Sequence, residues 1–261
     1  MPHLILFLFL LPVLYRLVRA VSSPDQLKAE EARQAKNYLV QYFGQPRRSQ
    51  QLDDIGHRLA TAAGVEAQFF VLPSQIVNAV CLPNGDIYIW HGLLKEITSR
   101  PDEVAAVLAH EIGHLKHEHF LRSVYWAALL QFSLGVLARP LGFWGRSIAS
   151  SIIKGGYSRF HEWEADAAAV QLLRSTGHDP MALAQVLKRV PNTQFPGMLR
   201  SHPDPEKRAE RIKRLRDEDG NMDGPAIDRE AEVVELKQPT IEEQPIEEPP
   251  LPDNVIRFPG R

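Results

Sequence analysis

The stretch LAHEIGHLKHEHF, residues 108–120, carries four histidines and two glutamates in thirteen positions. His110 and His114 are four residues apart. On a helix that puts both imidazoles on one face, one turn apart, which suits two ligands of one ion. Glu111 lies beside them. H-E-x-x-H on a helix is the signature of a zinc hydrolase, with two histidine ligands and the glutamate as general base toward water. The competing reading is a solvated helix face rich in histidine. The surrounding VAAVLAHEIGHL is small and apolar, so this helix is expected to be buried on most sides, where polar groups need a purpose.

A catalytic zinc needs a third protein ligand and an open position for water. The extended motif with a third histidine at position 120 is excluded, because that residue is Phe120. His117 is a further turn along, too far up the axis of a straight helix that rises about 1.5 Å per residue. It is read as solvated or adjacent to the ligands, and His119 is expected to point elsewhere. HEWEAD, residues 161–166, offers a better ligand. Glu162 would bind the metal. Asp166, one turn on, would accept the free ring N–H of a ligand histidine and fix its tautomer. Glu164 faces away from Asp166 and is the weaker candidate. The Ala- and Leu-rich ADAAAVQLL that follows argues for buried carboxylates rather than a solvated acidic face.

Working outward, Ser99 is the expected cap of one long helix running from Arg100 to Trp126, with Pro101, Asp102 and Glu103 in its first turn. The uncharged run from Ser123 to Ala138 is too short to span a bilayer comfortably. It reads as a core helix or as an in-plane membrane contact. Upstream, residues 24–64 read as two helices divided by Gly44 and Pro46. AQFFVL is a strand candidate, and NAVCLPNGDIYIW reads as two strands joined by Pro83-Asn84-Gly85. HGLLKEIT is a short helix candidate. Downstream, SRFHEWEADAAAVQLLRSTG, PMALAQVLKRV and DPEKRAERIKRLRDE are expected helices. The fold class is therefore α+β, mainly helical, with a small β-hairpin or sheet beside the metal helix.

Three segments are expected. Residues 1–22 contain the apolar run LILFLFLLPVLY and read as a signal peptide or an uncleaved membrane anchor. Residues 23–220 form the metal-binding domain. Residues 221–261 are rich in Pro and Glu and read as a disordered acidic tail able to bind a protein partner. A net charge of -2 argues against a nucleic-acid binder. The single cysteine, Cys81, excludes an intrachain disulfide and a Cys-rich zinc knuckle, so any metal is held by His and carboxylate. Cys81 itself is read as a buried packing residue rather than a nucleophile.

LAHEIGHLKHEH, SRFHEWEAD, SHPDPEKRAERI and VNAVCLPNGDIYIWHGLL in combination resemble the HtpX-like and CAAX-prenyl-protease family of gluzincin endopeptidases. That branch includes bacterial periplasmic proteases and mitochondrial inner-membrane quality-control proteases. The resemblance covers about residues 50 to 215. It implies one zinc per chain on His110, His114 and Glu162, Glu111 as the catalytic base and Asp166 beside the ligands. It further implies that His202 stabilises the oxyanion and that Arg208 is the arginine following it in the motif. It implies a polypeptide substrate and association with a bacterial periplasmic or inner membrane, or an organelle inner membrane. No segment has the full spanning length of the multi-span relatives, which points to the smaller peripheral branch.

The chemistry would be hydrolysis of peptide bonds in misfolded or membrane-associated protein, with the strand at Asn78, Ala79 and Val80 pairing to an extended substrate. A zinc-stabilised chaperone-like protein and a tethered adaptor acting through the tail are the competing readings. The intact Glu111 favours the enzyme, because a structural site has no use for a general base.

Overall fold

The computed structural model describes residues 15, 18–133, 157–189 and 204–219. Helices α1 (Pro24–Phe43) and α2 (Gln50–Ala63) precede the sheet. Pro24 occupies the first turn of α1 behind Ser23, where its fixed φ and missing N–H do no harm. Three strands follow: β1 (Gln68–Leu72), β2 (Ala79–Cys81) and β3 (Asp86–Trp90). The sheet order is β1-β3-β2, with β1 parallel and β2 antiparallel to β3. The expected hairpin is thus β2–β3. Gly85 makes its turn at φ 94, and a Cβ there would lie 2.4 Å from the Glu66 carbonyl oxygen.

Alternation along the strands splits the core in two. Phe69, Val71, Ala79, Cys81, Ile87 and Ile89 face one apolar cluster with α2. Leu72, Val80, Tyr88 and Trp90 face another with α1. The sheet is therefore covered on both sides, and its hydrophobic positions are set by a two-residue period.

Among the described residues the helices that follow are α3 (His91–Ile97), α4 (Pro101–Lys116), α5 (His119–Ser133), α6 (Arg159–Ser175), α7 (Ala182–Arg189) and α8 (Pro205–Asp219). Two expectations are corrected. Arg100, not Ser99, is the N-cap of α4, and no side chain caps it. More important, the single helix expected from Arg100 to Trp126 is two. α4 ends at Lys116 with His117 as its C-cap, and Glu118 adopts φ 50 before α5 begins. The cause lies in the core. Val104 to Ile112 of α4 pack into the first cluster, whereas Phe120, Leu121 and Val124 of α5 pack into the second, on the other side of the sheet. One straight helix cannot serve both.

Among the described residues no helix is long and apolar enough to cross a membrane. Of the run from Ser123 to Ala138, Val124 is buried, the Tyr125 hydroxyl donates to the Ala20 carbonyl at 3.1 Å, and Trp126 is exposed. Residues 134–138, the apolar run at 4–14, His202 and the tail from 221 lie outside the described residues.

Candidate metal centre

α4 is buried from Glu103 to His114, so its polar side chains are committed to partners inside the protein. α6 packs against it, opened by Ser158, whose hydroxyl accepts from the His161 backbone N–H. Gly113 allows the contact. A Cβ at this position would meet the Ala165 carbonyl oxygen at 2.8 Å and its Cα at 3.0 Å. That close approach brings Glu162 over the two histidines.

The His110 and His114 Nε2 atoms are 3.2 Å apart. His110 Nε2 lies 3.4 Å from Glu162 Oε2, and His114 Nε2 lies 3.4 Å from Glu162 Oε1. Tetrahedral zinc with bonds of roughly 2.0–2.1 Å holds its ligand atoms about 3.3–3.4 Å apart, the edge of the tetrahedron. The two imidazole nitrogens match that edge and each faces one oxygen of the same carboxylate, so the three side chains can share such an ion. They are also the group of three metal-binding side chains that converges among the described residues.

The far side of His110 is held by charge. Its Nδ1 lies 3.0 Å from Asp166 Oδ1. Arg208, on α8, grips Asp166 with two donors, at 2.8 Å and 2.7 Å, and places Nη1 2.9 Å from Glu162. Asp166 and Arg208 are each 1% exposed, so this pair sits in a low-dielectric interior. Burial opposes the Asp166 charge, but Arg208 outweighs it and holds the carboxyl down at about 2. Burial and Arg208 also press on His110, yet its bonds to Asp166 and Glu162 prevail and raise it to about 9. His114, with burial dominant, falls to about 4. A divalent cation at the three side chains takes both rings in the neutral form.

The reading of His119 is corrected. It does not point elsewhere: it is fully buried, with Nδ1 2.7 Å from His114 Nδ1. On a straight helix residues five apart diverge, but the turn at Glu118 swings the ring back. His117 is partly exposed and stacks on His119 at 5.6 Å. Tyr157, unnoticed in the sequence, stacks on His114 at 4.2 Å. A single aromatic at the edge of a glycine-rich stretch carries no pattern, so nothing in the sequence marks it.

Glu111 is buried next to His110 in the sequence of α4. Burial pushes the Cys81 thiol well up, and the neighbouring Glu111 carboxylate adds to that. Cys81 is therefore a neutral packing thiol, and its strand, β2, runs past Glu111. β2 is the outer strand of the described sheet; Ala79 and Val80 within it and Asn78 just before it are buried. The Asn78 side chain accepts from the Ala79 N–H at 2.9 Å.

Residues 46–216 match the sequence model of Peptidase family M48. The chain belongs to that family. The family implies a divalent metal, and the three converging donors are where this chain can hold it. The chain is 32% identical over 152 residues to the mitochondrial metalloendopeptidase OMA1 of Arabidopsis thaliana, covering 56% of this chain and 31% of that protein. It is 28% identical over 186 residues to the beta-barrel assembly-enhancing protease of Yersinia pestis, covering 62% and 38%. It is 29% identical over 168 residues to the metalloprotease LoiP of Escherichia coli, covering 60% and 66%. The chain thus spans about a third of the length of the first two relatives.

Proposed function

We propose that the protein is a zinc-dependent endopeptidase with one zinc per chain on His110, His114 and Glu162. The convergence of those three buried side chains carries this reading. Family membership supports it. Zinc, when bound, supplies a Lewis acid that polarises the scissile carbonyl and acidifies water toward a pKa of about 7.

The remaining work falls to the chain. Glu111 takes the proton of the attacking water and returns it to the leaving amine. Its burial keeps competing solvent away. Asp166, locked by Arg208, fixes His110 with Nε2 toward the ion. His202 is retained as the oxyanion partner on the strength of the resemblance. An extended polypeptide would pair with β2 at Asn78, Ala79 and Val80, which reads backbone and favours unfolded substrate. Those residues are buried, so pairing requires that edge to open. Residues 1–22, read as an anchor, would hold the domain at a bacterial periplasmic, inner or organelle inner membrane. The names of two relatives, one mitochondrial and one acting in beta-barrel assembly, agree with membrane protein quality control.

The test is zinc content and casein cleavage of the full chain, wild type against Glu111→Gln. One zinc in both, with cleavage by the wild type alone, is the expected result. Zinc in neither overturns the ligand assignment. Equal cleavage by both overturns the role of Glu111.

A further inference from the structure

We infer that His119 is a positioning residue for the metal: it orients His114 through Nδ1 and is itself backed by Glu164 and Arg122. This rests on the metal centre proposed above. His114 turns Nε2 toward His110 and Glu162, so as a ligand it must carry its proton on Nδ1. That N–H has to donate to something, because a buried donor without a partner is costly. His119 Nδ1, 2.7 Å away, is the acceptor. The tautomer of His119 follows: Nδ1 bare, the proton on Nε2. This Nε2 lies 3.4 Å from Glu164 Oε2, off the line of a normal hydrogen bond but near enough to favour the N–H dipole. Arg122 pairs with the same carboxylate at 2.6 Å.

The local fold is shaped to deliver this contact. Glu118 stands in the left-handed region, uncommon for a residue with a side chain. That turn brings residue 119 back over residue 114. His119 is then clamped between flat neighbours, with His161 stacked on it at 4.4 Å and 15° and His117 at 5.6 Å and 14°. Tyr157 covers the other side of His114. The ring has little freedom to rotate, so its lone pair stays aimed at His114. The two ligand histidines are therefore each steered from behind, His110 by a carboxylate and His114 by a neutral imidazole.

The experiment is zinc affinity of the full-length protein by competition with a chromophoric chelator, alongside thermal unfolding of the metal-free form. Wild type is compared with His119→Phe, His119→Gln, Glu164→Gln and His114→Phe. Loss of an outer hydrogen-bond partner of a ligand lowers metal affinity by roughly 10- to 100-fold. His119→Phe should show that loss, and His119→Gln, whose amide oxygen can accept, should recover most of it. Glu164→Gln, which leaves the buried ring in place, should weaken affinity by a smaller factor, within roughly tenfold. Wild-type affinity in His119→Phe overturns the inference. So does equal loss in His119→Phe and His119→Gln that tracks a fall in metal-free stability, because that marks a packing role. Wild type without zinc, or His114→Phe with full zinc, overturns the metal centre itself and the inference with it.

Discussion

His110 and His114 sit one turn apart on α4 and face the same carboxylate, yet they are held from behind in different ways. Behind His110 stand Asp166 and Arg208, an ion pair in the interior, with Arg208 1% exposed. Behind His114 stand the His119 ring and then Glu164 and Arg122, whose side chains are 27% and 33% exposed. The first arrangement is anchored by a different helix, α8, and depends on the whole domain being closed. The second is built on α5 and α6 and depends on the local turn at Glu118. Buried charge gives strong orientation but tolerates no partial loss. A neutral ring backed by a half-exposed pair is weaker and more forgiving.

The comparison breaks hardest at Arg208. Arg208→Met leaves Asp166 and Glu162 buried without their cation, a situation that costs about 3–5 kcal/mol. The urea midpoint of the metal-free protein should fall accordingly. An unchanged midpoint would mean that the buried pair does not hold the domain. Next in size is Gly113→Ala. The added methyl meets the α6 backbone, and forcing it in should cost about 1–3 kcal/mol. Zinc affinity should fall with stability, because Glu162 moves away with α6. Retained affinity would show that α6 can shift without carrying Glu162 off.

On the other side, Arg122→Met removes only a partly exposed pair and should change stability by less than about 1 kcal/mol. A loss as large as that of Arg208→Met would erase the contrast. The smallest effect is that of salt. Raising the ionic strength to about 1 M shortens the screening length to about 3 Å and should shrink the Arg122→Met effect while leaving that of Arg208→Met in place. Equal salt sensitivity of the two variants, read from urea titrations at low and high salt, would show the two arms to be equally wet.

Much of this was legible beforehand. H-E-x-x-H and E-x-x-x-D are helix-periodic patterns, and a four-residue spacing stays on one face whatever the helix packs against. Hence His110 with His114, and Glu162 with Asp166, could each be placed on one helix face from spacing and apolar context alone. The hairpin was equally local, because Pro83-Asn84-Gly85 specifies a turn between strands of two-residue period. The parallel pairing of β1 with β3 was not, since it depends on chain segments that meet only in the folded sheet. The role of His119 was hidden for a related reason. Helical continuity predicted divergence from His114, and the break at Glu118 has no glycine or proline to announce it.

What the sequence by itself determined is thus the chemistry that repeats with the helix: two histidines, a glutamate between them and two carboxylates on a second helix. The tertiary structure alone decided how those helices end and meet. α4 stops because its apolar face and that of α5 belong to opposite sides of one sheet, and burying both takes precedence over continuing a hydrogen-bonded ladder. That turn put His119 behind His114. The packing of α8 put Arg208 behind Asp166. Neither placement follows from a period along the chain, because each is fixed by which surfaces are buried together.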